Sequence, residues 1–339
     1  MATIRDVAEA AGVSVATVSR VLNETDKVQP ATRQRVLDTI KRLHYTPNLL
    51  GRNLRQGETR KVLVLLNTFS NQFYSRVLKG IEACAAQRGY AVMVGATHGD
   101  KQIERQYLQM LRTRLVDGVI FLSVEQDART LNRELAGFPA VQACGPRSDF
   151  ATPQVSIDNV EAGKAATEYL LQKGHTAIAW LGAPGDGDSP AMLRETGYRQ
   201  ALKEAQIPLR EDWILQEGFS VNAGKRAAKR LIALSERPTA ISCCADSCAA
   251  GLIHALVEMG YRVPEDFSVM GFDNTQLSEV FLPSITTTRQ PQYDIGSKAM
   301  ELLFHRLDSE DCGNAIVLLP HEIIERNSVM ERKQTTWKK

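Results

Sequence analysis

From Lys61 onward, the chain alternates short apolar segments with amphipathic helical stretches, and this alternation limits its fold more than any other feature. The segments Val62–Leu66, Ala91–Gly95, Gly118–Leu122 and Ala140–Ala143 predict buried strands, and stretches 72–89, 101–115 and 127–136 predict helices. The pattern repeats after Asp158, with strands near Ala177–Leu181, Ala240–Cys244 and Ser268–Gly271. Such alternation is typical of parallel sheets covered on both faces. We therefore predict two similar α/β lobes, with ligands expected in the crevice at the carboxyl ends of their strands.

The first sixty residues have a different pattern, which predicts three short helices. Thr3 is suited to be the N-cap of the first helix, and Gly12 can supply the left-handed residue that ends it. Ser14 can cap a second helix, and Pro30 suits the first turn of a third. Two short helices joined by a tight glycine turn form a helix-turn-helix. The second helix of this motif lies in the major groove of DNA.

The outer face of the second helix carries Val15, Ala16 and Arg20. Arg20 can donate two hydrogen bonds to guanine, whereas Val15 and Ala16 offer methyl contacts suited to thymine. The alternative interpretation is that these residues form an ordinary helix surface. An exposed Val-Ala pair beside an arginine favours the DNA-reading interpretation.

The charge distribution agrees with a nucleic-acid partner for the first segment alone. Residues 1–60 hold ten Lys or Arg and six Asp or Glu, although the net charge of the chain is only +2. A small basic module joined to a slightly acidic body indicates a polyanionic partner. No apolar run is long enough for a signal peptide or a membrane span, so a cytoplasmic location is expected.

The cysteines and histidines do not have the spacing of metal ligands. We expect the cysteines to be small buried hydrophobic residues, the alternative being a metal or redox cluster at Cys243, Cys244 and Cys248. Neither a metal nor another cofactor is predicted.

A doubly wound body could also belong to an enzyme. The loop Gly182–Asp188 follows a strand, but Pro184 removes an amide donor, and Asp186 and Asp188 would repel a phosphate. The chain has no Walker lysine pattern and no nucleophile elbow. An enzyme is therefore not predicted. A sugar-binding transport component is the other alternative, and the missing signal peptide and the basic helix-turn-helix argue against it.

Three motifs in the first segment match a known family. Thr3–Ala8 reads TIRDVA, Gly12–Asn23 reads GVSVATVSRVLN, and Tyr45–Asn48 reads YTPN. In these motifs the chain closely resembles the LacI/GalR family of transcriptional repressors, and the resemblance continues to about Val329. It implies a body similar to periplasmic sugar-binding proteins. The lobes would be joined by three chain crossings, near Asp158, Arg289–Pro291 and Leu319–His321.

The resemblance also implies which residues contact DNA. In the headpiece these are Thr3, Ser14, Val15, Ala16, Thr17, Arg20 and Asn23. The segment from Asn48 to Gly57 resembles the family's hinge, which becomes a short helix when two copies meet in the minor groove. Leu54 would insert between the central base pairs and bend the duplex, and Arg52 and Arg55 would lie near phosphates. Gly51 disfavours this helix by about 1 kcal/mol relative to alanine, and the alternative is a simple linker.

Five ligand-binding residues in the body follow from the same resemblance: Phe73, Arg194, Phe219, Asp273 and Gln290. Phe73 would pack against the flat face of the ligand, Arg194 would bind it from the second lobe, and Asp273 would accept hydrogen bonds from its hydroxyls. Phe219 would line the cleft, and Gln290 stands at a crossing. This set suits a polar, hydroxylated ring compound.

Each of these assignments has a structural alternative. Phe73 and Phe219 could be core aromatics, Arg194 could form a surface ion pair, and Asp273 could cap the following helix. Asp246 opens the helix after Cys243–Cys244 and is predicted to cap it.

Within the family, several stretches most resemble the repressors that respond to cytidine, among them Lys79–Glu82 and Gln290–Gly296. A nucleoside would stack on Phe73 and place its ribose hydroxyls at Asp273. The chain departs from its relatives' ligand-facing residues at Cys144, Gly145, Asp188 and Pro190. These departures leave the identity of the ligand open between a nucleoside and its main competitor, a sugar or a sugar acid.

These observations combine into a division of the chain and a mechanism. We expect a DNA-binding headpiece at 1–46, a hinge at 47–60 and a two-lobed effector-binding and dimerisation domain at 61–339. Lobe 1 would comprise about 61–158 and 291–319, and lobe 2 about 159–289 and 321–329. A homodimer would read a near-palindromic operator, since a two-fold protein reads two half-sites. Ligand that closes the lobes would change the spacing of the hinges and so the affinity for DNA, an allosteric population shift.

Overall fold

The computed structural model of the protein describes residues 2–22, 28–46, 58–185, 187–309 and 313–332. The chain forms two compact units, residues 1–59 and residues 60–339. In the described part of the chain, no helix is both long enough and apolar enough to span a bilayer.

The first unit contains three helices, α1 (Ile4–Ala11), α2 (Val15–Leu22) and α3 (Pro30–Arg42). Thr3 caps α1 through a capping box with Asp6, as its sequence position predicts. Gly12 has a φ of 63°, which lets the chain leave α1 and enter α2 within three residues. The helices enclose a small core of Val7, Ala8, Ala11, Val18, Val21 and Val36.

The second unit contains two six-stranded sheets, and each forms the centre of a lobe. The first sheet has the order β11-β5-β4-β3-β1-β2, and all of its pairings are parallel. Its strands are β1 (Lys61–Leu66), β2 (Ala91–Ala96), β3 (Gly118–Phe121), β4 (Ala140–Ala143), β5 (Gln154–Ile157) and β11 (Ile316–Leu319). The helices of this lobe are α4 (Gln72–Gln87), α5 (Lys101–Arg112), α6 (Ala128–Glu134) and α12 (Gln292–Leu307).

The second sheet has the order β12-β10-β9-β8-β6-β7. Its strands are β6 (Ile178–Gly182), β7 (Ile214–Gln216), β8 (Ala240–Cys243), β9 (Ser268–Asp273), β10 (Thr286–Arg289) and β12 (Glu322–Ile324). The helices of this lobe are α7 (Asn159–Gln172), α8 (Pro190–Glu204), α9 (Val221–Ile232), α10 (Asp246–Glu258) and α11 (Gln276–Val280). A helical headpiece followed by two α/β lobes confirms the predicted fold class, except that β12 runs antiparallel to β10.

The chain passes between the two sheets three times. It leaves the first sheet after β5, returns between β10 and β11, and crosses again between β11 and β12. These segments coincide with the crossings expected near Asp158, Arg289–Pro291 and Leu319–His321. Because strands of both sheets end at this boundary, the polar residues that follow them gather between the lobes.

Candidate functional site

Helix α2 presents the face that sequence predicts for reading DNA. The Ser14 hydroxyl oxygen accepts a hydrogen bond from the Thr17 amide at 3.1 Å, so it caps the first turn. Val15 is 40% exposed, and Ala16 and Arg20 are also exposed. The opposite face of α2 is buried in the core of the headpiece.

Four of the predicted DNA contacts, Asn23, Arg52, Leu54 and Arg55, lie outside the described residues. Thr3 is exposed at the start of α1, and Thr17 is half-buried in α2. The DNA contacts therefore stay predictions, and those that can be located are accessible or partly accessible at the helix-turn-helix.

A cavity of about 330 Å³ lies between the two lobes. Its walls come from loops and helix starts that follow the carboxyl ends of strands, and all five predicted ligand-binding residues line it. The lining residues are Asn67, Thr68, Ser70, Asn71, Phe73, Tyr74, Leu122, Cys144, Pro190, Arg194, Phe219, Ser220, Val221, Ser247, Asp273 and Gln290. This volume is at the small end of the range for ligand pockets.

Asp273 is the last residue of β9 and is held in an unusual backbone conformation. Its φ of 108° lies where glycine is favoured, which costs about 1–3 kcal/mol. Its backbone oxygen accepts a hydrogen bond from Gln292 Nε2 at 2.5 Å, and its Oδ1 accepts one from Gln290 Nε2 at 2.6 Å. These contacts aim the carboxyl group at the cleft. Asp273 does not cap a helix, since the N-cap of α11 is Thr275.

Burial raises the pKa of Asp273 from its ordinary value of 3.8 to about 8, against the opposing effect of Arg194. Asp246 acts in the same direction as burial, and the bond from Gln290 acts against it. Arg194 Nη1 lies 3.8 Å from Asp273 Oδ1. The attraction of this arginine does not offset the free energy that the ionised carboxylate loses when it is removed from water.

Arg194 is buried on α8, so the alternative of a surface ion pair is wrong. Its Nε donates to Asn159 Oδ1 at 2.9 Å, and its Nη1 donates to the Cys244 backbone oxygen at 2.7 Å. Its guanidinium also lies 3.8 Å from the centre of the Phe272 ring. These contacts fix the arginine in one position beside the cavity.

Two glycines bring α7 and α8 close enough for this arrangement. A Cβ atom on Gly163 would collide with the backbone oxygen of Arg194, and one on Gly197 would collide with that of Val160. Because neither residue has a side chain, the helices pack backbone to backbone. Asn159, at the start of α7, thereby reaches Arg194.

The two predicted aromatic residues come from opposite lobes. Phe73 is buried at the start of α4, where it belongs to the core of the first lobe and also lines the cavity, and its ring packs edge-on against Tyr74 at 5.7 Å. Phe219 is 39% exposed and precedes the capping residue Ser220 of α9. The alternative that these two residues are core aromatics is therefore partly right for Phe73, which belongs to the core and also lines the cavity. It is wrong for Phe219, which is exposed.

Asp246 does not cap α10, which corrects the sequence prediction. The N-cap of α10 is Ala245, and no side chain bonds there. The Asp246 carboxylate instead accepts bonds from the Thr275 amide at 2.6 Å, the Thr275 hydroxyl at 2.9 Å and the Thr287 hydroxyl at 2.6 Å. Asp246 therefore ties α10 to β10 and to the loop after Asp273. Burial raises its pKa to about 6.

Several lining residues were not identified from sequence. Tyr74, Val221 and Ser247 lie in the first turns of helices, and Leu122 directly follows β3. Their common signal is a place just after a strand, where the crevice of a parallel sheet is built. Of the four departures noted in the sequence, Cys144 and Pro190 line the cavity, whereas Gly145 and Asp188 are not among its lining residues.

The cysteines that the structure describes, Cys84, Cys144, Cys243, Cys244 and Cys248, are buried and free. Among the described residues, no group of three or more His, Cys, Asp or Glu is arranged to hold a metal ion.

The chain matches two family profiles. Residues 3–48 match the bacterial regulatory proteins of the lacI family, and residues 167–329 match a periplasmic binding protein-like domain. The transcriptional repressor PurR of Vibrio cholerae serotype O1 (strain M66-2) is 35% identical over 336 residues, covering 98% of this chain and 99% of the relative.

Two solved structures extend the likeness to the fold. The lac repressor dimer bound to operator and the anti-inducer ONPF is 26% identical, with a TM-score of 0.87, and covers 97% of this chain and 99% of that chain. The complex of the transcriptional regulator CelR with cellobiose is 29% identical, with a TM-score of 0.74, and the match covers 97% of this chain and 100% of that chain. These relatives are transcriptional regulators, which confirms the prediction of a regulator rather than an enzyme. With a curated relative 35% identical along almost its whole length and a matching headpiece profile, the chain belongs to the lacI family of bacterial regulatory proteins.

Proposed function

We propose that this chain is a repressor that binds operator DNA as a homodimer through its headpiece, and that a small molecule in the cleft changes its affinity for that DNA. The observation that carries the DNA-binding part is the exposed face of α2, with Val15, Ala16 and Arg20 on a capped helix. The proposal includes the predicted domain division, the DNA contacts of the headpiece and hinge, and a cytoplasmic location.

Exposed apolar side chains support the homodimer. Met93 and Val94 lie on β2, an edge strand of the first sheet, and Val280 and Leu282 lie at and after the end of α11. Leu282 is 87% exposed. Large exposed apolar side chains on both lobes favour coverage by a second copy of the chain.

The ligand-binding part rests on the convergence of Phe73, Arg194, Phe219, Asp273 and Gln290 in one cavity. A ring that contacts Phe73 and places hydroxyl groups at Asp273 fits this set. We propose a nucleoside first, with cytidine as the first molecule to test, because of the likeness to the cytidine-responsive branch. The curated relative reported above is a PurR protein, and the solved CelR complex holds cellobiose. A sugar is therefore the second candidate.

Footprinting on DNA upstream of the chain's own and neighbouring genes tests the DNA-binding part. We expect protection of a near-palindrome that weakens steeply as salt rises, because phosphate contacts release counterions. Arg20→Ala is expected to weaken binding by about tenfold or more, since a bidentate contact to guanine contributes about 1–3 kcal/mol of discrimination.

Arg129→Ala is the matched control for this experiment, because Arg129 is an exposed arginine on α6 of the first lobe. It should bind the near-palindrome as the wild type does. Equal binding by wild type and Arg20→Ala, or the lack of any protected site, would contradict the proposal.

A further inference from the structure

The turn that carries Asp273 contains two consecutive residues in left-handed backbone conformations. Asp273 has a φ of 108°, and Asn274, which follows it, has a φ of 54°. Neither residue is glycine, and such conformations persist only where the surrounding structure holds them in place. The contacts of Asn274 therefore help to decide where the carboxyl group of Asp273 lies.

Arg326 holds the side chain of Asn274. This arginine follows β12 by two residues, is half-buried and is not one of the residues that line the cavity. Its Nη2 donates a hydrogen bond to Asn274 Oδ1 at 2.7 Å, and the Asn274 amide donates one to Thr287 Oγ1 at 3.3 Å. A hydrogen bond from a guanidinium is stronger than one between neutral groups. Arg326 is therefore well suited to fix the turn.

The backbone around Arg326 is itself fixed to the second sheet. Because β12 runs antiparallel to β10, the residues after β12 lie alongside the start of β10. The Arg326 amide donates to Thr286 Oγ1 at 2.9 Å, and the Thr286 amide donates to Ser328 Oγ at 2.9 Å. The Asn327 amide donates to the backbone oxygen of Ser284 at 3.0 Å. The guanidinium thus extends from a rigid base.

The same guanidinium also braces α11. Its Nη1 donates to Ser278 Oγ at 3.2 Å and to the backbone oxygen of Ile285 at 2.9 Å. Together with Asn274 Oδ1, these acceptors are all uncharged, so the bonds orient the neighbouring segments rather than neutralise a charge. Loss of Arg326 would therefore lower stability even if the arginine had no effect on Asp273, and a loss of stability alone does not identify a positioning role.

We propose that Arg326 is a positioning residue of the ligand site, which acts from outside the cavity by holding Asn274 and thereby keeps the carboxyl group of Asp273 in the cleft. The inference rests on the proposed ligand-binding function and adds to it a residue that does not line the cavity. Without the bond to Asn274, the turn relaxes toward ordinary backbone angles, and the carboxyl group moves toward water.

A double-mutant cycle on the full chain, measured by urea denaturation at about pH 5 and about pH 9, tests the inference without a ligand. Asp273→Asn keeps the shape of the side chain, tolerates positive φ and cannot titrate. In the wild-type background its gain in stability is expected to increase with pH, because burial raises the pKa of Asp273. In the Arg326→Met background we expect this increase to fall by about half or more, since the carboxyl group has returned to water. A purely structural role of Arg326 would leave the increase unchanged.

Asn274→Gly separates positioning from the bracing of α11, and it serves as the test if Arg326→Met does not fold. It removes the acceptor of the Arg326 bond, adds no steric strain at positive φ and leaves the bonds to α11 in place. We expect it to reduce the pH-dependent increase as Arg326→Met does. Arg262→Met is the matched control, because Arg262 is an exposed arginine of the same lobe that pairs with Asp266 at 3.1 Å. It should keep the full increase.

Two results of this cycle would overturn the inference. One is an equal increase in the wild type, Arg326→Met and Asn274→Gly. The other is no increase in the wild type, which would show that the carboxyl group of Asp273 is not held in a buried position.

Calorimetric titration with cytidine, D-ribose and D-galactose measures the consequence for the ligand site. Whichever of them binds the wild type is expected to bind Arg326→Met about tenfold more weakly and Arg262→Met equally well. Equal affinities of wild type and Arg326→Met would contradict the inference.

Operator binding of the wild type, measured with and without these molecules, separates the inference from the proposed function. A reduced pH-dependent increase in Arg326→Met, together with operator binding that none of the molecules changes, would count against the proposed function alone. An unchanged increase, together with operator binding that one of them changes, would count against the inference alone.

Discussion

Asp273 combines a backbone conformation that disfavours its own side chain with a carboxyl group whose pKa is raised by burial. A free carboxyl has a pKa near 3.8, and burial raises that of Asp273 to about 8. Arg194 on α8 opposes this shift, while Asp246 and Cys248 on α10 add to it. The thiol of Cys144 and the hydroxyl of Tyr74 face the same group from the first lobe. A site of this kind is costly for stability, and such costs concentrate at functional positions.

The stability of the ligand-free protein should therefore depend on Asp273 as pH changes. Because the pKa of Asp273 is higher in the folded chain, the folded state holds its proton more tightly than the unfolded state does. Its contribution to the free energy of unfolding is fully present below the unfolded pKa and is lost as pH rises to about 8. Asp273→Asn cannot titrate, so it should gain stability relative to wild type across this interval.

Urea denaturation at several pH values between about 5 and 9 measures this difference. A difference between wild type and Asp273→Asn that does not change with pH would show that the carboxyl is not perturbed by burial.

At the scale of elements, the packing of α7 on α8 positions Arg194. Gly163→Ala is expected to lower the free energy of unfolding by about 1–3 kcal/mol, because the new Cβ would meet the backbone oxygen of Arg194 and push the helices apart. The same shift should weaken ligand binding, since the bond from Arg194 to Asn159 joins these helices. Chemical denaturation and calorimetric titration measure the two effects.

Gly187→Ala is the matched control for this substitution. A Cβ on Gly187 has no atom within 4 Å, and its backbone does not require glycine. The control should leave both stability and ligand binding unchanged. Equal effects of the two substitutions would show that close packing of α7 and α8 does not position the arginine.

The positions of the helices and strands, and the position of the cleft at the strand ends, could be predicted from the sequence because they depend on local patterns. Apolar runs predict buried strands, and Thr3, Gly12 and Ser14 predict helix ends from neighbouring residues. Asp246 shows where local reasoning fails. An acid at a helix start predicts a cap, but its partners Thr275 and Thr287 are 29 and 41 residues away. Only the tertiary fold brings those hydroxyls to the carboxylate.

The same limit applies to the cavity. Tyr74 and Ser247 lie in first turns, where polar residues commonly cap helices or face solvent, so their types do not indicate a cleft. Asp273 and Arg194 were found through resemblance to a family rather than through periodicity. Their burial and the hydrogen bond from Gln290 to Asp273 are visible only in the folded chain.

In the two-lobed domain as a whole, the cleft is the place where one bound molecule can contact both lobes. Phe73 and Asn67 come from the first lobe, while Arg194 and Asp273 come from the second. The lobes also approach each other directly, since a Cβ on Gly145 would lie 2.9 Å from Pro190 Cγ. A ligand that contacts both sides can therefore favour one arrangement of the lobes, by as much as its affinities for the two arrangements differ.

The central claim is that occupancy of the cleft changes the affinity for operator DNA. The most direct test is a fluorescence anisotropy titration of the footprinted operator, with and without a saturating amount of whichever nucleoside or sugar binds the protein most tightly. In the wild type we predict a change in operator affinity of about 5–150-fold, the range of typical coupling energies, and an equal change in ligand affinity when operator is bound. Asp273→Asn should bind operator like the wild type without ligand and lose this response. An operator affinity that is the same with and without ligand in the wild type would contradict the account.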